Sequence, residues 1–285
     1  MSTTRHPTVR RKRFGQHFLA PSWARKVVAA IAPAPGDVFL EIGPGTGALT
    51  MPLAETGLPV LAIEIDRDLV SALVARVPRN VTVLSGNFLE MDVTPFLGGL
   101  ESQRPPDAAA RPPRRLRAVG NLPYNITSPL LFRLIDLHLK HRLLTDATIM
   151  VQREVANRLS ARPGTKDYGV LTVTAQLHAR ITKILNLPPS AFSPAPKVES
   201  SLVRLTFGEP SARIVDEALF QRLVRALFSQ RRKTLRNALK PFHPAALDVL
   251  ASSGLDGMRR PETLQVSEIA RLVELLAAAG RGPML

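Results

Sequence analysis

The apolar residues Val38, Phe39, Leu40 and Ile42 are followed at once by glycines at alternate positions, Gly43, Gly45 and Gly47. Few folds use that combination. The apolar run suits a strand buried in a parallel sheet. A strand that turns through glycine into a helix, here opening over residues 49–54, brings bare backbone to the carboxyl edge of the sheet. A ligand can approach that backbone closely because no Cβ intervenes. The next strand-like run, Val60-Leu61-Ala62-Ile63, ends at Glu64. An acid about 20 residues beyond such a loop is where a carboxylate holds a ribose diol. Gly43-x-Gly45-x-x-Ala48 satisfies the loose dinucleotide fingerprint. NAD and S-adenosylmethionine both carry an adenosine ribose, so the loop and Glu64 leave both open.

The remaining pattern alternates strands and helices. A helix from about Ser22 to Ala32, with Ser22 as N-cap, precedes the first core strand. Asp66 can cap a helix whose Leu69, Val70, Leu73 and Val74 share an apolar face. Val81–Leu84 reads as a third strand. Residues 101–117, with four prolines and five arginines, read as a loop or insertion. Leu116–Gly120 leads into Asn121-Leu122-Pro123-Tyr124, and a helix over 128–139 follows. Residues 147–151 read as a strand, 154–159 as a short helix, 170–177 and 181–187 as further elements. Phe192–Lys197 is a proline-stiffened extended stretch, and 201–205 is the last strand. Beyond Gly208-Glu209-Pro210 the strand signals stop, and 216–280 reads as helices only. The expectation is an α/β chain: a doubly wound, mostly parallel sheet over 1–208, and a small all-α domain over 209–285.

Thirty-eight Lys and Arg against 23 Asp and Glu give a formal charge of +15. The excess is clustered. Arg5, Arg10, Arg11, Lys12 and Arg13 form a basic arm; Arg104, Arg111, Arg114, Arg115 and Arg117 crowd one loop; Arg231, Arg232, Lys233, Arg236 and Lys240 crowd one helix. Such clusters point to a polyanion bound through salt-sensitive phosphate contacts. Absence of cysteine excludes disulfides, thiolate catalysis and Cys-ligated zinc, and no metal site is expected. No apolar run approaches the ~18–20 residues of a membrane span, and no secretory signal is visible, so a cytoplasmic protein without membrane association is expected. The six histidines are scattered and read as surface residues.

Asn121-Leu122-Pro123-Tyr124 would share the sheet edge with the glycine loop, and its chemistry suits an exocyclic amine on a nucleobase. The amine of adenine is a poor nucleophile because its lone pair is delocalised into the ring. Acceptors from the Asn121 side chain and the Leu122 carbonyl would grip its two hydrogens and favour a pyramidal nitrogen whose lone pair faces an electrophile. Pro123 stiffens the turn, and Tyr124 can stack on a flipped base. Positioning and matched dipoles would carry most of the rate. A dehydrogenase has no use for this tetrapeptide.

These stretches, with Arg11-Lys12-Arg13-Phe14-Gly15-Gln16, Phe192-Ser193-Pro194-Ala195-Pro196-Lys197-Val198-Glu199-Ser200 and Gln230-Arg231-Arg232-Lys233-Thr234-Leu235-Arg236-Asn237, resemble the KsgA (RsmA) family of small-subunit rRNA adenine dimethyltransferases. That resemblance implies a class I (Rossmann-like) methyltransferase fold and S-adenosyl-L-methionine as cofactor. It implies small-subunit (16S) rRNA in an immature 30S subunit as partner, and a monomer. It places His17, Leu19, Gly43, Gly45, Glu64, Asn87 and Asn121 around the cofactor. Asn121, Leu122 and Tyr124 would hold the adenine with Phe192 on its other face, and Arg231, Arg232, Lys233 and Arg236 would meet RNA. His17 stands where the family usually has Asn, and Asn87 where it usually has Asp. The related large-subunit enzymes of macrolide resistance, and a non-catalytic RNA-binding or transcription factor on the same fold, are the alternatives.

Overall fold

Burial of one central strand on both faces dictates the architecture. In the computed structural model, which describes residues 17–96 and 115–280, all six residues of β2 (Asp37–Ile42) are buried. The chain then lays β3 (Val60–Glu64) and β4 (Val81–Ser85) outward on one side of β2. It returns to its other side with β5 (Arg115–Asn121), β6 (Leu144–Gln152), β7 (Ala179–Leu187) and β9 (Ser200–Phe207). The seven-stranded order is β4-β3-β2-β5-β6-β9-β7. Strands β4 to β6 run parallel, and β9 is antiparallel to both β6 and β7. A two-residue strand β1 (Phe18–Leu19) pairs antiparallel with β8 (Phe192–Ser193). The order reverses between β2 and β5, and crevices at such switch points are where doubly wound sheets bind ligands.

Helices cover both faces. Phe39 packs with α1 (Pro21–Ile31) and α2 (Thr50–Ala54). Val38, Leu40 and Ile42 face a cluster built with α4 (Thr127–His141) and α5 (Arg153–Leu159). Between them α3 (Arg67–Val74) is capped by Asp66, which accepts from the N–H groups of Asp68 and Leu69. Only Leu69 and Leu73 of its expected apolar face are buried, and Val74 is 53% exposed. Helix α1 starts one residue earlier than expected: Pro21 takes the first turn, where its missing N–H costs nothing, and Ala20, not Ser22, is the N-cap.

After Phe207 the described residues form helices only: α7 (Glu217–Ser229), α8 (Leu235–Leu239), α9 (Ala246–Ser253) and α10 (Val266–Ala279). Their apolar cluster also takes in Tyr168 and, from α6 (Val170–His178), Val173 and Leu177. Tyr168 is fully buried and donates its hydroxyl to the carbonyl of Leu264 at 2.8 Å.

Two expectations about charge are corrected. Arg115 and Arg117 are not in a loop; both lie in β5, and Arg117 is 6% exposed. Its guanidinium meets Asp37 at 2.8 Å and Asp146 at 2.7 Å, and donates to the carbonyls of Ile31 and Ala32. Arg204 donates to the carbonyls of Ala30 and Ile31. Two buried or half-buried cations thus satisfy carbonyls that the end of α1 leaves unpaired. His138 and His178 are not surface residues: at 5% and 2% exposure, one stacks on Phe207 and the other reaches Glu217 at 3.3 Å. The basic arm and the cluster Arg104, Arg111 and Arg114 lie outside the described residues.

Removing the Arg117 guanidinium would leave buried Asp146 without a cation and buried Asp37 with only the half-exposed Arg115, at 2.8 Å. Arg117→Ala should destabilise the protein by about 3–5 kcal/mol, read as a lower urea midpoint. A loss below about 1 kcal/mol would show that Asp37 and Asp146 find other partners.

Candidate active site

Register builds the site. Ile42 lies opposite Ile63 on one side and Gly120 on the other, and Glu64 lies opposite Ser85. The residues that leave these strands at the carboxyl edge are therefore Gly43, Glu64, Gly86-Asn87 and Asn121. They come from four separate stretches, yet all line one pocket. Gly43 has φ +67°, and a Cβ there would meet no atom within 4 Å, so its backbone opens on free space. His17 and Leu19 from the β1 segment, and Leu122 and Tyr124 from the turn after β5, complete the wall.

The Glu64 carboxylate accepts from the N–H groups of Gly45 at 3.0 Å, Ile65 at 2.9 Å and Asp66 at 3.0 Å. It therefore fixes the glycine loop as well as facing the pocket. A carboxylate offers about four acceptor positions, so one remains, and a second bond to a diol requires Gly45 to yield. Asn87 accepts from the Leu89 N–H with its Oδ1 at 3.1 Å, leaving one lone pair of that oxygen.

Asn121 donates its amide Nδ2 to the carbonyl of His17 at 2.7 Å. This contact fixes which end of the amide is which: one of the two N–H donors is taken by His17, and Oδ1 is the end that can accept. The Leu122 N–H donates to the Met150 carbonyl, tying the turn to β6. The Pro123 carbonyl accepts from the Ile126 N–H and the Thr127 hydroxyl. The Tyr124 hydroxyl pairs with Ser200 Oγ at 2.6 Å, and burial pushes its pKa up, so it remains a phenol at neutral pH.

Phe192 is placed differently from the expectation. It pairs with Leu19 through β8 and is 4% exposed in the apolar cluster beneath the wall, outside the pocket lining. At that burial little of its ring is open to a partner in this structure. The basic cluster is also not one helix. Helix α7 ends at Ser229, residues 231–233 form a turn, and α8 begins at Leu235. Arg231 is spent internally, on Glu262 at 2.5 Å and on the carbonyls of Lys166 and Thr165. Arg232, Lys233 and Arg236 are exposed.

Ile65 and Glu41 are among the wall residues that escaped the sequence reading. Ile65 lines the pocket at 48% exposure, an apolar surface next to the Glu64 carboxylate; an isoleucine just past a strand end was its only signal. Glu41 lines the pocket from within β2 at 1% exposure, and its Oε2 has no hydrogen-bond partner. Burial, with Glu64 nearby, pushes its pKa up to about 7. Among the described residues no group of His, Asp and Glu is arranged to hold a metal ion, and no helix is long and apolar enough to cross a membrane.

The family model described as ribosomal RNA adenine dimethylase matches residues 8–278. The chain is 43% identical over 271 residues to a protein of Aromatoleum aromaticum named ribosomal RNA small subunit methyltransferase A, covering 94% of each. A protein of Geobacter sulfurreducens with the same name is 41% identical over 282 residues, covering 95% of this chain and 96% of the relative. Among solved structures, a dimethyladenosine transferase from Plasmodium falciparum superposes with a TM-score of 0.74 at 28% identity, over 93% of this chain and 98% of the other. The 23S rRNA methyltransferase ErmE superposes with a TM-score of 0.59 at 26% identity, over 91% and 99%.

A carboxyl group whose pKa is raised on folding contributes stability that is complete below its unfolded value near 4.5 and lost as pH rises through about 7. Without ligand, the wild type should therefore lose stability relative to Glu41→Gln between pH 5 and 8, on the order of 3 kcal/mol at most. Parallel stability curves for the two proteins would place the Glu41 pKa in the ordinary carboxylate range.

Proposed function

The chain belongs to the ribosomal RNA adenine dimethylase family, and from that premise we propose that it methylates two adjacent adenosines near the 3′ end of small-subunit (16S) rRNA to N6,N6-dimethyladenosine, using S-adenosylmethionine. The observation that carries this reading is the Asn121 amide, oriented by His17 beside the glycine loop with its oxygen free to accept. The relatives named small-subunit methyltransferases, at about 40% identity over nearly the whole chain, favour the small subunit over the large.

The residues present fit the cofactor. The open backbone at Gly43 admits a close-lying group, Glu64 suits a ribose hydroxyl, and Ile65 offers an apolar face for a purine. Bound there, S-adenosylmethionine supplies a methyl group activated by its sulfonium. The chain supplies placement. Asn121 Oδ1 and the Leu122 carbonyl accept the two hydrogens of the adenine amine and draw its lone pair out of the ring. Tyr124, neutral and tethered to Ser200, stacks on the base. No side chain has to remove a proton before attack, because the methylated nitrogen is acidic and loses its proton afterwards. Asn121→Ala should fold, bind RNA and lose methyl transfer by two or more orders of magnitude in single turnover at saturating cofactor and RNA. That is about 3–4 kcal/mol, by analogy with loss of an oxyanion-hole donor. Tritiated methyl transfer to undermethylated small subunits, followed by nucleoside analysis, tests the function itself. Label confined to large-subunit rRNA, or monomethyladenosine alone, would overturn it.

RNA outside the pocket is held, in this reading, by Arg232, Lys233 and Arg236, with Arg231 bracing the turn that presents them. Replacing the three exposed residues by Ser should flatten the dependence of log affinity on log salt by about two to three units. An unchanged slope would place the RNA on another surface.

A further inference from the structure

His17 stands where three segments meet at the pocket mouth, and its ring is held on two sides. Nδ1 lies 2.6 Å from the carbonyl oxygen of Pro194. A carbonyl only accepts, so Nδ1 carries a proton and donates it. The imidazole also lies along the Tyr124 ring, with centroids 5.6 Å apart and planes within 26°. The tip of Tyr124 is fixed separately by Ser200 in β9. Tyr124 is thus backed on one face by a ring tethered to Pro194 and pinned at its hydroxyl. A ring held in this way has one face left for a flat partner and little freedom to tilt.

We infer that His17 is a positioning residue for the target adenine, acting through Tyr124. The inference rests on Asn121–Tyr124 being the acceptor site. The main chain of His17 has a separable part, since it is its backbone carbonyl that orients the Asn121 amide. Substitution of the side chain leaves that carbonyl in place, so the ring can be tested alone.

Two variants divide the ring's contributions. His17→Ala removes both the stack and the Pro194 tie; His17→Phe keeps a flat ring and loses only the tie. Calorimetry without RNA gives S-adenosylmethionine affinity, and single-turnover transfer to undermethylated small subunits at saturating cofactor gives the acceptor step. His17→Ala should bind S-adenosylmethionine within about threefold of wild type and lose about tenfold or more in transfer, and His17→Phe should recover most of that loss. Cofactor affinity reduced about tenfold in His17→Ala, with wild-type transfer once cofactor saturates, would assign the ring to the cofactor and overturn the inference. So would a His17→Phe variant that folds but transfers no better than His17→Ala. Asn121→Ala is run alongside. If it is inactive while His17→Ala transfers normally, only this inference fails; if both transfer normally, the acceptor site itself lies elsewhere.

Discussion

The site depends on how closely β2 and β5 approach at their carboxyl ends. A Cβ on Gly120 would come within 2.5 Å of the Ile42 carbonyl oxygen, a distance side chains do not tolerate. Glycine at that position lets the last rung of the ladder form, and that rung sets Gly43 beside Asn121. Every later feature inherits the alignment: the glycine loop reaches Glu64 across β3, and Asn121 reaches the β1 segment. The pocket is the junction of two strand exits whose separation is set by a missing methyl group.

The fold was legible because its signals are local. The apolar run before Gly43, the run ending at Glu64, the Asp66 cap and the disappearance of strand patterns after Pro210 each span a few residues, and the sheet and helical C-terminal part follow from their order. Residues whose meaning depends on distant partners were not legible. Arg117 looked like one more loop arginine, because Asp37 and Asp146, which bury it, lie far along the chain in either direction. Arg231 looked like its neighbours until Glu262 claimed it. Phe192 looked available because a two-residue strand pairing is too short to leave a periodic trace. In the candidate site the backbone-built parts, the glycines and the Asn121 turn, could be read as motifs, whereas the buried state of Glu41 came only from sheet packing.

Polar groups do different work at the two edges of the sheet. At the carboxyl edge they are partly spent and partly free: Glu64 has three backbone donors, Asn87 one and Asn121 one acceptor. Each is held in a fixed orientation while keeping capacity for a ligand, which lowers the ordering cost of binding. At the opposite edge Arg117 has two carboxylates and two carbonyls. That edge specifies packing, and its groups are engaged on several sides.

Helix α1 connects the two edges. Its last carbonyls are gripped by Arg117 and Arg204, and its first turn begins two residues after Leu19, with the Ala20 N–H bonded to the Ala191 carbonyl. Eleven helical residues make a rod of about 16 Å, clamped at the foot and carrying the wall segment at its head. It works as a strut. The height of His17 and Leu19 over the pocket is set in part by arginines at the opposite edge of the sheet. Loosening the foot lets the head drift, and a lesion there would reach the pocket as misplacement of a wall whose own residues are intact.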